Sequence, residues 1–137
     1  MSDTLDPTQN YLLLDTDGTA EALPGGEPFW TDLMSGSPKH PGIQRLMQST
    51  HGRLLAVLPM DKDWTTWERH PAGDEILFLV NGKMTLVLEE NGGERRVDLE
   101  GGRLAIVPKG VWHTARLSTP CLLLALTDGI GTEIRPA

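Results

Sequence analysis

The chain has 137 residues, a length that suits one domain of ordinary size. Glycine and proline supply 15 and 10 residues, which is about 18 per cent of the chain, against an average of about 12 per cent. A chain that turns so often is unsuited to a helical bundle, and its 39 per cent of hydrophobic residues excludes a disordered linker.

The charge and the cysteine count narrow the class of protein further. The chain carries 12 basic and 19 acidic side chains, a formal net charge of −7, and its only adjacent basic pair is Arg95-Arg96. Nucleic acids and anionic membranes both select clustered Lys and Arg, so neither is an expected partner. The single cysteine, Cys121, excludes an internal disulfide and any zinc site built from several cysteines.

Neither a signal peptide nor a membrane span is expected. A signal peptide begins with basic residues and continues into a long apolar run. The start, Met1–Thr4, shows neither feature. The longest apolar run, Cys121–Leu126, is far too short to span a bilayer. We therefore predict a cytoplasmic protein.

Residues 1–52 differ from the rest of the chain, because they are rich in proline and show little sustained periodicity. Tyr11–Leu14 is predicted to form one short strand, whereas Phe29–Met34 and Ile43–Gln48 suit either a short strand or one helical turn. The apolar residues of this segment are too few and too scattered to form a core of their own. We predict an extended amino-terminal arm, residues 1–52, that packs on a barrel formed by residues 53–137, with one domain overall.

From Arg53 onward, short apolar runs alternate with turn residues, which is typical of an all-β fold. The Asn81-Gly82 pair between two runs predicts a tight hairpin. No stretch is suited to a long crossover helix, so a parallel α/β sheet is disfavoured. About eight strands predict a sandwich or a barrel. The predicted strands are Arg53–Met60, Trp64–His70, Ile76–Val80, Lys83–Glu89, Glu94–Leu99, Leu104–Val107, His113–Leu117 and Cys121–Thr127.

Four potential metal ligands fall in this strand-rich part: Glu68, His70, Glu75 and His113. Glu68 and His70 are two residues apart, so on a strand both face the same side. Glu75 follows a turn, and His113 follows the Pro108-Lys109-Gly110 turn on a separate strand. Two imidazoles with one or two carboxylates suit a divalent first-row transition metal, including non-haem iron with open positions.

The spacing of these residues resembles the two motifs of the cupin superfamily, the small jelly-roll β-barrels. The first motif, G-x5-H-x-H-x3/4-E-x6-G, corresponds to the stretch from Glu68 through His70 and Glu75 to Gly82. The second motif, G-x5-P-x-G-x2-H-x3-N, corresponds to Gly102 through His113. The resemblance covers Trp64–Leu117, about half of the chain, and implies an all-β cupin barrel with two strands between the motifs.

Three positions depart from the family motifs. Lys62 stands where the leading glycine is expected, Glu68 replaces the first histidine, and Leu117 replaces the closing asparagine. The resemblance implies that His70, Glu75 and His113 are metal ligands, because they occupy ligand positions of the motifs. Glu68 then has two open roles, as a fourth ligand or as a general base beside a three-ligand metal.

Several other reactive or bulky residues are not assigned to the centre. Asp74 is predicted to be a turn or solvated residue, and Cys121 an inert core thiol. His40 and His51 are predicted to be loop histidines. The tryptophans are assigned by alternation: Trp64 faces the same side as Glu68 and lines the pocket mouth or the core, Trp67 faces away, and Trp112 lies beside the turn before His113.

Two functions are kept open. The first is a metal-dependent enzyme of dioxygenase or isomerase type that holds Fe, Mn, Zn or Ni and acts on a small organic acid, enol or sugar-like substrate. The second is a non-catalytic cupin that binds or senses a small ligand. A homodimer is expected, since cupins often pair and the apolar run Ile76–Val80 predicts a strand buried on both sides.

Overall fold

The computed structural model describes residues 4–137, so most of the segment on which the signal-peptide prediction rests lies outside the described residues. Two strands and two short helices precede residue 53: β1 Asn10–Leu14, β2 Ala20–Pro24, α1 Glu27–Leu33 and α2 Pro41–Met47. Nine strands follow: β3 Arg53–Met60, β4 Thr66–Arg69, β5 Glu75–Asn81, β6 Lys83–Glu90, β7 Gly93–Glu100, β8 Arg103–Val107, β9 His113–Leu117, β10 Cys121–Thr127 and β11 Glu133–Pro136.

The strands form two antiparallel sheets that pack against each other. One has six strands in the order β2-β1-β3-β10-β5-β8, and the other has five in the order β11-β4-β9-β6-β7. Both sheets contribute alternate side chains to one core, which is the burial pattern of a half-exposed antiparallel strand. The buried members of this core are Leu77, Leu79, Met84, Leu86, Leu88, Leu99, Val107, Ala115, Cys121 and Leu123.

This architecture confirms the predicted all-β, jelly-roll-like fold. Each predicted apolar run lies in or overlaps a strand, and β6 and β7 are the two strands between the motifs. Among the described residues, the strand pairings form two separate sheets and not a closed ring of hydrogen bonds. Neither helix in residues 4–137 combines the length and the hydropathy needed to cross a membrane.

The predicted hairpin at Asn81-Gly82 is wrong. β5 pairs with β8 and β10, whereas β6 pairs with β7 and β9, so the chain passes here from one sheet to the other. Gly82 has φ 99°, and a Cβ on it would lie 2.4 Å from the carbonyl oxygen of Pro120. Glycine is typical of hairpin turns, and it is also needed here because it has no Cβ and readily adopts a positive φ. The residues of this turn therefore do not determine which strands pair.

The strands before residue 53 extend the six-stranded sheet, because β1 pairs with β3. The segment forms a second apolar cluster that includes β3, and the Trp30 indole N–H donates to the Tyr11 hydroxyl over 2.7 Å. The two runs left open between strand and helical turn are helices α1 and α2, and each begins with a proline in its first turn. The division of the chain at residue 52 stays a prediction. The buried residues of this cluster are Tyr11, Leu13, Leu23, Phe29, Ile43, Leu54 and Ala56.

The outer face of the six-stranded sheet is partly uncovered. Leu77 and Leu79 are fully buried, but the strand alternates, and Val80 is 41% exposed. The prediction that Ile76–Val80 is buried on both sides is therefore wrong in this chain taken alone. On the neighbouring edge strand β8, Leu104 and Ile106 are 58% and 57% exposed.

Candidate metal centre

The four predicted ligands meet at one end of the space between the sheets. Glu68 on β4 lies directly opposite His113, the first residue of β9, in the five-stranded sheet. His70 follows the end of β4, and Glu75 is the first residue of β5 in the other sheet. Cross-strand neighbours and strand ends place these side chains together, although 45 residues separate the first from the last.

Hydrogen bonds between the turns hold the two motifs in register. The Gly110 N–H donates to the His70 carbonyl over 2.9 Å, and the Lys109 N–H donates to the Asp74 carboxylate over 2.9 Å. Asp74, predicted to be a turn or solvated residue, directly follows the turn and bend at residues 71–73 and has a specific partner in the second motif. These contacts connect the turn that follows His70 to the turn that precedes His113.

Glu75 lies between the two imidazoles. Its Oε1 is 3.0 Å from His113 Nε2, and its Oε2 is 3.3 Å from His70 Nε2. Thr127, the last residue of β10, donates a short hydrogen bond to the same Oε2. The second carboxylate is more distant, since Glu68 Oε2 lies 3.8 Å from His70 Nε2.

Both imidazoles turn their Nε2 atoms toward the centre because their Nδ1 atoms have partners outside it. His113 Nδ1 lies 3.0 Å from the Val111 carbonyl oxygen, which can only accept, so this nitrogen carries a proton. His70 Nδ1 lies 2.8 Å from Thr132 Oγ1. Outer partners of this kind fix the orientation of histidine metal ligands.

The residues present fit a divalent metal. His70 Nε2 is buried and makes no hydrogen bond among the described residues, although buried polar atoms are normally paired. Glu68, His70 and His113 each offer one ligand atom, and these atoms lie within 4.8 Å of one another. Nitrogen and oxygen donors in this number suit a first-row transition metal.

Opposing effects determine the pKa values of the central pair. Burial alone raises the pKa of Glu75, but its contacts with His113 and His70 outweigh burial and lower that pKa to about 2. Burial lowers the pKa of His113, but the hydrogen bond to Glu75 and the charge of that carboxylate more than compensate, so the pKa is raised. Without metal, the 3.0 Å contact between Glu75 and His113 favours the ionised form of each partner.

Glu68 has a different environment from Glu75. Burial and the charge of Glu75 raise the pKa of Glu68, and the two histidines compensate only in part. Its side chain is 29% exposed, whereas the side chains of His70, Glu75 and His113 are 7%, 6% and 0% exposed. Glu68 is therefore the member of the group that solvent or a ligand reaches first.

The tryptophans lie on the two sides that alternation predicts. The Trp64 ring is 6.0 Å from the His113 ring and packs against the main core. Trp67 and Trp112 instead hold the Arg135 guanidinium, at 5.1 and 4.5 Å from their ring centroids. Through Arg135, these two rings hold β11, the edge strand of the five-stranded sheet, beside β4.

The other two histidines lie outside the centre. His40 caps α2 by accepting from the Gly42 N–H, and His51 Nδ1 lies 3.1 Å from the Asp128 carboxylate. Sequence reasoning did not assign Thr127 or Thr132, which contact Glu75 and His70. No local motif marks these two threonines, since their positions follow from strand pairing.

Comparison with known proteins supports the same fold. The family model described as Cupin domain matches residues 55–127, which is more than half of the chain. No match is found among curated proteins.

Solved structures similar to this chain include three from bacteria. A cupin-2 domain protein from Shewanella frigidimarina has 18% identity and a TM-score of 0.46, over 62% of this chain and 71% of that one. A protein from Neisseria meningitidis has 29% identity and a TM-score of 0.47, over 58% and 76%. The oxalate decarboxylase of Lactobacillus farciminis has 13% identity and a TM-score of 0.52, over 61% and 26%.

Proposed function

The chain belongs to the cupin family, and we propose that it is a metal-dependent enzyme for a small organic acid, enol or sugar-like substrate. The observation that carries this proposal is that two buried imidazole Nε2 atoms and the Glu68 carboxylate face one point. His70 Nε2 has no well-formed hydrogen bond among the described residues, and its nearest polar neighbours are the carboxylate oxygens of Glu75 and Glu68, at 3.3 and 3.8 Å. Ionisable groups gathered in this way are costly to bury unless they are paired or bound to a metal.

His70, Glu75 and His113 are the proposed ligands, with Glu68 as a fourth ligand or as a base. A bound divalent ion supplies Lewis-acid polarisation of a substrate oxygen or one-electron chemistry, depending on the element. The protein orients the donors, keeps bulk water from three of them, and leaves Glu68 on the accessible side. Fe, Mn, Zn and Ni all suit this donor set, and Mn(II) centres are named for the Bacillus subtilis oxalate decarboxylase of similar fold.

Elemental analysis of protein purified without chelator tests the proposal. We expect about one ion per chain in the wild type, none in Glu75→Ala, and the wild-type amount in Glu94→Gln, whose carboxylate is exposed at the surface. Iron or manganese directs the activity assays to dioxygenase chemistry and zinc to isomerase chemistry. A wild-type protein without stoichiometric metal contradicts the proposal.

Replacing Glu68 separates its two roles. If Glu68 is a ligand, Glu68→Gln weakens metal binding by about 10-fold or more, and Glu68→His, which restores the family residue, binds metal well. If Glu68 is a base, Glu68→Gln keeps the metal and loses turnover, typically by 10²–10⁴-fold. Titration with a chelator in competition, together with turnover under saturating metal, distinguishes the two results.

A second candidate function is a non-catalytic cupin that sequesters a metal or senses a ligand. The near-complete burial of His70, Glu75 and His113 favours it, since of the four side chains only that of Glu68 is substantially exposed. Metal in full amount, ligand-induced thermal shifts and no turnover with candidate substrates and oxygen would support this alternative over the enzyme.

We propose that the protein is cytoplasmic, as the acidic composition and single cysteine suggest.

We also propose a homodimer in which the second copy covers the outer face of the six-stranded sheet. The support for the dimer is the edge strand β8, which exposes Leu104 and Ile106 beside Val80. We expect Ile106→Glu to convert the dimer to a monomer of 15.0 kDa in sedimentation. Met47→Glu, at a residue 68% exposed on α2, is the control. A wild-type mass of one chain would overturn this proposal.

A further inference from the structure

His70 has a partner that lies outside the family domain. Its Nδ1 is 2.8 Å from Thr132 Oγ1, and the His70 side chain is only 7% exposed, so water does not readily replace this contact. The family match ends at residue 127. Thr132 therefore belongs to the part of this chain that the cupin motifs do not describe.

Strand pairing places Thr132 beside His70. β11 runs antiparallel to β4, with Glu133 opposite Arg69 and Ile134 opposite Glu68. The residue before Glu133 therefore meets the residue after Arg69, which is His70. The ion pair between Arg69 and Glu133, with a shortest distance of 2.8 Å, reinforces this register.

The segment that carries Thr132 is held at both ends. The Thr132 N–H donates to the Gly129 carbonyl over 3.1 Å, and the buried Asp128 contacts His51 at 3.1 Å. At the other end, Arg135 lies over the rings of Trp67 and Trp112. The threonine hydroxyl is thus presented to His70 by a segment with fixed ends.

Metal binding through Nε2 determines which His70 nitrogen must carry the proton. A histidine that binds metal through Nε2 must carry its proton on Nδ1, and that proton needs an acceptor. Thr132 Oγ1 is the atom within reach of Nδ1, and Nε2 is left without a hydrogen bond and faces Glu75 and Glu68. The same arrangement holds the ring plane.

We propose that Thr132 is a positioning residue of the metal centre, which accepts the Nδ1 proton of His70 and so presents Nε2 to the metal. The carboxyl-terminal strand β11 is then part of the centre and not merely a closing strand. This inference rests on the proposed metal function, because it concerns how His70 is oriented toward the metal.

Two readouts test the proposal. Long-range nitrogen–proton NMR spectra of the Zn(II)-loaded wild type are expected to show the His70 ring protonated at Nδ1 and bound through Nε2. In Co(II) or Zn(II) titrations, Thr132→Val is expected to raise the Kd by about 10–100-fold. Thr132→Ser, which keeps the hydroxyl, is expected to restore binding close to that of the wild type.

The matched control is Thr85→Val on β6. It removes a hydroxyl that donates a 2.8 Å hydrogen bond to Asp98 on β7, and it is expected to leave metal affinity unchanged. A metal-loaded wild type in which His70 binds through Nδ1, or a folded Thr132→Val protein with unchanged Kd, overturns the proposal. If Thr132→Val does not fold, the metal-loaded wild-type spectrum and the serine variant still decide. A wild type that binds no metal rejects the proposed function itself, whereas metal binding with an unchanged Kd in Thr132→Val rejects only the role of Thr132.

Discussion

Glu75→Ala is expected to lower the free energy of unfolding of the metal-free protein by about 3 to 5 kcal/mol, the range for removing one partner of a buried ion pair. His113 is fully buried, and Glu75 is the acceptor that lies 3.0 Å from its Nε2. The same carboxylate contacts His70 at 3.3 Å and accepts from Thr127. Its removal leaves the buried His113 Nε2 and the Thr127 hydroxyl without their acceptor, and burial then disfavours the charged form of His113.

Two further variants separate charge from volume and surface from core. Glu75→Gln keeps the shape and removes the charge, so we expect it to lose a large part of the same stability. Glu94→Gln removes an exposed carboxylate 4.0 Å from Arg96 and is expected to change stability by less than about 1 kcal/mol. Urea unfolding with a chelator present measures all three. The buried pair has no structural importance if both Glu75 variants match the Glu94 control.

The metal-free protein is expected to be most stable in mildly acidic solution, between the ordinary pKa values of Glu75 and His113, 4.5 and 6.5. Glu75 has a lowered pKa, so it contributes stability above pH 4.5, which is lost as the pH falls toward about 2. His113 has a raised pKa, so it contributes stability below pH 6.5, which is lost as the pH rises through that raised pKa. Glu68, whose pKa is also raised, acts in the same direction as His113.

Metal is expected to reverse the alkaline part of this dependence. His113 Nε2 must lose its proton to bind an ion, so the stabilisation by metal grows as the pH rises. Thermal melts over a pH series, with Zn(II) or with chelator, should therefore show a difference in Tm that widens toward alkaline pH. The chelated Glu75→Gln protein should show a flatter profile, because it lacks the pair. A metal effect that shrinks with rising pH would contradict His113 as a ligand.

The resemblance to the two cupin motifs was sufficient to predict which residues meet. Local spacing alone places Glu68 and His70 on one side of a strand and puts Glu75 and His113 after turns whose glycine and proline residues are visible in the sequence. The all-β class follows from the regular apolar runs, because a period of two commits each strand to one buried face. The jelly roll, and the approach of His113 to residues up to 45 positions away, were implied by the family resemblance.

Pairing between distant strands was not predictable in the same way. Asn81-Gly82 has the composition of a hairpin, yet the chain changes sheets there, because β5 pairs with β8 and β10 in one sheet and β6 pairs with β7 and β9 in the other. Whether the outer side of β5 is covered depends on neighbours, and Val80 and Ile106 show that it is partly open in the single chain.

The sequence alone showed that Glu68 replaces the first histidine of the family motif. It also indicated the group of potential ligands to which Glu68 belongs. What only the tertiary structure decided is how those residues are held. Glu75 lies between two imidazoles, and Thr127 and Thr132 supply the hydrogen bonds that orient Glu75 and His70. These contacts join residues 52 and 62 positions apart, and their formation depends on strand register, which is set by the burial of whole sheets and not by any neighbouring residue.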